Sequence, residues 1–234
     1  LTKIVNSFFF LKNQNNTDKI IVGPRICNYN GIIEYFRRKI KFLGFGNIDI
    51  SKTTKIRRTM ISSGCCFLIK KKYYKELNGF DEFYFMYKDD IDFSLRAMKL
   101  GIKQYVDNSI HLFHLRSDEE YKLNKFKYYF HERNRILMCL EHSKKKKKML
   151  LVHLLFEPFH IIFVIKKGFF RERFKIYKFL FQNFSYIIKN KKKENNLFDR
   201  YYEMDGIFNE VNPQSMLFHI LNYSAKMLFY FYHH

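Results

Sequence analysis

The sequence predicts an α/β protein with amphipathic helices toward its C-terminal end, and three observations lead there. An acid-rich segment from Asn78 to Gly101 carries the 3.6-residue period of a helix. An apolar run around the adjacent Cys65 and Cys66 reads as a strand. From Met149 onward, long apolar stretches recur at helical spacing with lysine and arginine between them. The length, 234 residues, and the hydrophobic share, 47% with abundant Phe and Tyr, suffice for one packed domain with an appendage and argue against intrinsic disorder. The formal charge of +21, from 43 Lys and Arg against 22 Asp and Glu, attracts polyanions: nucleic acid, nucleotide diphosphates or an anionic bilayer.

Taken in order, Leu1 to Leu11 reads as a short amphipathic helix that stops before Asn13-Gln14-Asn15-Asn16. Cys65 and Cys66 project to opposite faces of their strand and read as small hydrophobes in a reducing compartment. Cys27 and Cys139 show no pair spacing, so neither a zinc knuckle nor a disulfide framework is indicated. In the acidic helix Asp89, Asp92 and Arg96 share one face, Ile91, Leu95 and Met98 share a face for burial, and Asp90 points to neither alone. Gly101 fits the left-handed residue that ends such a helix. The carboxylates therefore stand in the first turn, where the positive dipole end favours negative charge. Spacing alone leaves two readings of them: a general base or metal-facing group, or simple capping acids with Asp92 and Arg96 as an i,i+4 pair.

Further on, Lys144 through Lys148 precede the apolar stretch Met149–Ile165, which Lys166 and Lys167 close. The stretch is short for a span and carries Glu157, Pro158 and two histidines, so a kinked helix lying among lipid headgroups fits better, with a buried helix as the alternative. Phe169 to Phe181 reads as a second amphipathic helix. Lys189 to Asn196 reads as a charged linker, and Met216 to Tyr232 as a final helix with Phe218, Leu221, Ala225 and Leu228 on one face.

Several motifs agree in order with a known family. They are Ile20-Ile21-Val22-Gly23-Pro24-Arg25-Ile26, then Ser62-Ser63-Gly64-Cys65-Cys66-Phe67-Leu68-Ile69-Lys70, Asn78-Gly79-Phe80-Asp81-Glu82, and Tyr87-Lys88-Asp89-Asp90-Ile91-Asp92 with Leu95-Arg96. Val106 to His114 and Tyr128-Tyr129-Phe130-His131-Glu132-Arg133-Asn134-Arg135 follow. This series resembles the second half of family-2 glycosyltransferases, in the rhamnosyltransferase-like branch. The resemblance covers roughly residues 1 to 185. It implies a GT-A fold, a mixed sheet flanked by helices, that transfers a sugar with inversion from a nucleotide-diphosphate donor to an acceptor hydroxyl. Asn78-Gly79 stands where the family has a glycine pair, and Asp89-Asp90 where it has Glu-Asp. By residue matching Asp90 is then the catalytic base, with Asp89 its helix-start neighbour.

The same resemblance implies that Gly64, Asp81, Glu82, Arg133 and Arg135 contact substrate and that His114 faces a divalent metal, Mg or Mn. No Asp-x-Asp occurs before Ile20, so the resemblance further implies a truncated GT-A domain whose donor half, with most of the metal ligands, lies in an N-terminal part of the same or a separately encoded chain. The expected domains are 1–143 for the catalytic part, 144–188 for basic membrane-associated helices and 189–234 for linker and terminal helix. The expected acceptor is a glycan or a lipid-linked sugar in surface glycan synthesis, with the protein peripheral on the cytoplasmic face of the cell membrane. Residues Gly31 to Thr59 fit no family pattern and are expected to contact the acceptor. Two other classes compete. A catalytically dead membrane scaffold would suit the absent donor half. A nucleic-acid-binding protein would suit the charge, but cations spread along amphipathic helices make no single platform, so no nucleic-acid partner is expected.

Overall fold

A computed structural model of the chain describes residues 1–35, 37–49, 55–115, 122–190, 193–194 and 216–233, with only the backbone for 35, 37–39, 46–49 and 216–221. Parts of the expected acceptor segment (36 and 50–54), half of the expected linker (191–192 and 195–196) and all of 197–215 lie outside the described residues. The chain forms two compact units, Leu1–Lys39 with Gly46–Lys122, and Ile40–Phe45 with Leu123–His234.

The first unit is α/β, as the sequence predicts. It opens with helix α1 (Thr2–Asn15), which runs through the Asn13–Asn15 segment expected to end it and stops one residue later, at the left-handed Asn16. Strand β1 (Ile20–Cys27) follows, then β2 (Ile33–Tyr35), a two-stranded pair of β3 (Arg37–Ile40) with β4 (Gly46–Asp49), and β5 (Ile56–Arg58). Next come β6 (Leu68–Ile69), helix α2 (Lys71–Glu76), a 3₁₀ turn (Glu82–Tyr84), helix α3 (Asp89–Lys99) and β7 (Lys103–Phe113). The five-stranded sheet has the order β2-β1-β7-β5, with β6 also paired to β1. It is mixed: β1 and β7 run parallel, while β2, β6 and β5 pair antiparallel.

Alternation along β1 puts helices on both faces of this sheet. Ile20 and Val22 pack with Ile4, Phe8 and Leu11 of α1, whose spacing makes one helical stripe. Ile21, between them, packs the other way against Tyr73 and Leu77 of the α2 region and Phe93 and Ala97 of α3. Fully burying each such side chain contributes roughly 1.5–3 kcal/mol. The β1/β7 ladder runs in step from Ile20↔Lys103 to Pro24↔Asp107 and then jumps to Arg25↔His111. Pro24 has no N–H to donate, so the ladder breaks there and the extra β7 residues bulge. Where the bulge begins, Asp107 accepts from Ser109 N–H and Oγ, at 2.9 and 2.6 Å, and from Ser7 Oγ at 2.5 Å.

Cys65 and Cys66 are a correction to the expected strand: pairing with β1 begins only at Leu68, and both cysteines lie in the turn before it. At Gly23 any Cβ would come within 2.9 Å of Cys66 O, so the turn crosses β1 in close contact instead of pairing along it. All four cysteines are free thiols.

The second unit is helical: α4 (Lys125–His142), α5 (Lys146–Lys167), α6 (Phe170–Gln182), α7 (Phe184–Lys189) and α8 (Met216–His233), with the tight turn Phe42–Gly44 packed among them. The two apolar segments expected as helices form α5 and α6, and Gly168, at φ 70, turns one into the other. Asn124 caps α4 by accepting from Lys127 N–H at 2.9 Å. Pro158 sits within α5. Tyr232 of α8 is fully buried and shares a 2.6 Å hydrogen bond with Ser143.

Candidate functional site

The frame of the site is α3 and what grips it. The helix starts at Asp89 with all three acids in its first turn and ends at Gly101, φ 74, as its sequence dictates. Asp92, fully buried, accepts from Arg96 Nε at 2.8 Å. The remaining guanidinium nitrogens of Arg96 donate to Leu77 O and, at 2.9 Å, to Gly79 O. The i,i+4 pairing of Asp92 with Arg96 is thus present, and Arg96 additionally clamps the Asn78-Gly79 turn. That turn needs two consecutive left-handed residues, Asn78 at φ 56 and Gly79 at φ 64. Asparagine and glycine are the residues that adopt this conformation most readily.

A second grip comes from a buried polar network. Ser62 Oγ donates to Gln104 Oε1 at 2.7 Å, and Ser62 N–H donates to Ser94 Oγ at 2.9 Å. Gln104 Nε2 in turn donates to Met60 O and Ser94 O, at 3.0 and 2.9 Å. Segment 60–64, α3 and β7 are thereby fixed to one another.

Between these grips the structure brings together three of the residues singled out in the sequence. Gly64 N–H points at Asp90 Oδ2, 3.4 Å away, and a Cβ on Gly64 would stand 3.3 Å from Asp90 Cβ. The next residue, Cys65, places its Sγ 3.8 Å from His114 Nδ1. His114 is held just beyond β7 by its backbone N–H donating to Cys27 O at 2.7 Å, where parallel strands β1 and β7 both end. Asp90, Gly64 and His114 thus gather at the carboxyl ends of the parallel strands, where open α/β sheets place ligands.

Sequence reasoning missed Glu34 on β2, whose Oε2 lies 3.5 Å from His114 Nδ1. No motif marks it; only the β1/β2 hairpin brings it there. Burial pushes the Asp89 carboxyl up from its ordinary value, and the adjacent Asp90 charge adds to the shift. The approach to α3 is strained: Phe85, Tyr87 and Lys88 all have φ between 61 and 65. Left-handed backbone at non-glycine residues costs of order 1–3 kcal/mol each and concentrates at functional sites.

Asp81 caps the 3₁₀ turn by accepting from Phe83 N–H at 2.8 Å, and Glu82 beside it is exposed. Arg133 and Arg135 belong to the helical unit, and both are buried there. Arg135 grips Glu132 with Nε and Nη2, at 2.9 and 2.8 Å, and lies 4.4 Å from the centre of the Phe45 ring. The Arg133 guanidinium stacks on Phe130 and Phe179, each at 4.7 Å. Glu132 also meets Arg173 Nη1 at 3.2 Å and His160 Nε2 at 3.5 Å. Burial alone would raise the Glu132 carboxyl; Arg135, His160 and Arg173 more than offset it and hold the group well below its ordinary value. Burial holds His160 down to about 4, against the opposing pull of Glu132.

The donors next to Cys65 suit a divalent cation in part. His114 and Glu34 offer an imidazole nitrogen and a carboxylate oxygen side by side and half-buried, which Mn accepts as part of a larger shell.

No protein-family model matches the chain, and no curated protein matches it. Among solved structures 39 chains match. One is GalNAc-T7 with UDP, GalNAc and Mn2+, aligned over 61% of this chain at 13% identity and a TM-score of 0.44. The chain spans 29% of the length of that protein.

Proposed function

We propose that this chain carries the base of an inverting glycosyl-transfer site, with Asp90 as the proton acceptor. The observation that supports it most is the placement of Asp90 at the start of α3, against the Gly64 N–H, in the same corner as His114. An acceptor hydroxyl is a weak nucleophile until a carboxylate takes its proton. Asp90 removes that proton while the hydroxyl oxygen attacks the anomeric carbon of a nucleotide-diphosphate sugar. The bond from that carbon to the diphosphate oxygen breaks, the nucleoside diphosphate departs, and the configuration inverts.

Gly64 has a defined part: without a side chain it lets the acceptor approach Asp90 and leaves the carboxylate in place. Asp81 and Glu82, at the 3₁₀ turn that follows the Asn78-Gly79 turn clamped by Arg96, are the substrate-contacting acids of this reading. His114, with Glu34, would hold a divalent ion, Mg or Mn. When bound, that ion supplies positive charge for the departing diphosphate. Arg133 and Arg135 are left out, since their guanidinium groups are engaged within the helical unit. The donor is a nucleotide-diphosphate sugar and the acceptor a glycan or lipid-linked sugar.

The test is release of nucleoside diphosphate from a panel of nucleotide-diphosphate sugars, by this chain or the longest protein containing it, with Mn2+ and glycan or lipid-linked acceptors. Turnover with one donor, lost on chelation, is expected. His114→Ala should raise the Mn2+ needed for half-maximal turnover at least about tenfold. Absence of release with every donor, from protein that is folded by circular dichroism, would overturn the proposal. Turnover indifferent to both chelation and His114→Ala would remove the metal from it.

A further inference from the structure

The helical unit presents a surface that the transfer reading does not use. Around α5, buried and exposed positions separate cleanly onto two faces. Inward lie Met149, Val152, Phe156 and Val164, together with Lys146, His153 and His160. Outward lie Leu151, Leu154, Leu155, Ile162 and Ile165, exposed by 43 to 65%. Among the described residues that outer face is apolar along its length and bounded by lysine at both ends, Lys147 at the start and Lys166 and Lys167 at the finish. Helix α6 repeats the device on one turn-to-turn stripe, Phe170, Phe174, Tyr177 and Phe181, flanked by Arg171, Lys175 and Lys178.

Helix α5 is long and apolar enough to cross a membrane. Its inner face argues against crossing. Glu157 accepts from Arg173 of α6 at 2.8 Å, and His160 stands beside Glu132 of α4. A transmembrane α5 would carry this ion network and the charged helices α4 and α6 into hydrocarbon, where each charge is costly. Among the described residues one face of α5 is exposed.

We infer that α5 lies in the plane of an anionic bilayer, its outer face sunk among the upper acyl chains and its terminal lysines on the headgroup phosphates. The occupant is set by charge complementarity. An apolar strip ended by cations, in a chain of net charge +21, matches anionic headgroups above hydrocarbon. This inference rests on the helical unit's own surface and stands whether or not Asp90 is a base.

The test is flotation of the full chain with phosphatidylglycerol/phosphatidylcholine vesicles and with pure phosphatidylcholine vesicles. Binding is expected to the anionic vesicles, weakened at high salt and released by alkaline carbonate. Leu154→Ser with Ile165→Ser should lower it at least about tenfold. Lys166→Gln with Lys167→Gln should lower it by a similar factor, on anionic vesicles only. All four residues are on the surface, so unchanged circular dichroism certifies the fold. Failure to bind anionic vesicles would overturn the inference. Retention through carbonate would overturn it in favour of a spanning helix. Binding unaffected by the Leu154/Ile165 pair would place the contact elsewhere, and a dimer abolished by that pair, with no vesicle binding, would assign the face to a second copy.

Discussion

Replacing Arg96 by methionine keeps most of the side-chain volume and removes the charge that faces Asp92. Asp92 is fully buried and 2.8 Å from Arg96 Nε, and the Arg96 side chain is itself only 14% exposed. Removing one partner of a buried ion pair costs about 3–5 kcal/mol, because the other charge stays in a poorly solvated place. Leu77 O and Gly79 O lose their donors in the same substitution, though they lie in a turn that water can approach. Against a typical total stability of about 5–15 kcal/mol this is a large fraction. With a urea m-value of about 2 kcal/mol/M, the unfolding midpoint of the α/β unit should fall by about 2 M. The chain has no tryptophan, so the transition is followed by circular dichroism. Adding Asp92→Asn to Arg96→Met removes the buried charge and should recover at least about 1 kcal/mol. A midpoint shift under about 0.5 M, or a double variant no better than the single one, would refute the argument that this pair frames the site.

Gly64→Ala puts a methyl group 3.3 Å from Asp90 Cβ, closer than ordinary contact, so the carboxylate must shift by a few tenths of an ångström. Turnover should fall about tenfold with the unfolding midpoint unchanged, and an alanine variant of full activity would show that Asp90 tolerates displacement. Acid should destabilise the helical unit. His160 faces Glu132, Arg173, Arg135 and Glu157 and is held down to about 4, so from its ordinary 6.5 to that value the unfolded chain binds a proton that the folded chain refuses. Stability is therefore lost as pH falls through this window, by about 3 kcal/mol at some 1.4 kcal/mol per pH unit, as urea titrations at successive pH would read. Glu132, depressed in the fold, acts in the same direction below its ordinary value of 4.5. His160→Phe should flatten the upper part of that window.

Local signals in the sequence reached far in the α/β unit. The acidic helix runs from Asp89 to Lys99 and stops at the left-handed Gly101 because both ends are written in residues that cap helices. Helices α5 and α6 follow from apolar periodicity over long stretches. What escaped are features made by tertiary contact. Cys65 and Cys66 look like strand residues, yet the close crossing over Gly23 keeps them in a turn. Arg135 looks like a phosphate-binding arginine, but the side chain meets Glu132 three residues back and is buried with it. Glu34 stands next to His114 only because β2 folds back on β1. The position of Asp90 at a helix start followed from local signals, and there its side chain lies beside Gly64.

The role of Asp90 is tested most directly by Asp90→Asn, measured as sugar transfer and, separately, as calorimetric binding of the nucleotide-diphosphate sugar. Amide and carboxylate have nearly the same shape, so folding and donor binding should be retained while turnover falls by a factor of about 10²–10⁴, the span of a positioned base. Transfer at the original rate by the asparagine variant would contradict the assignment of Asp90 as the proton acceptor.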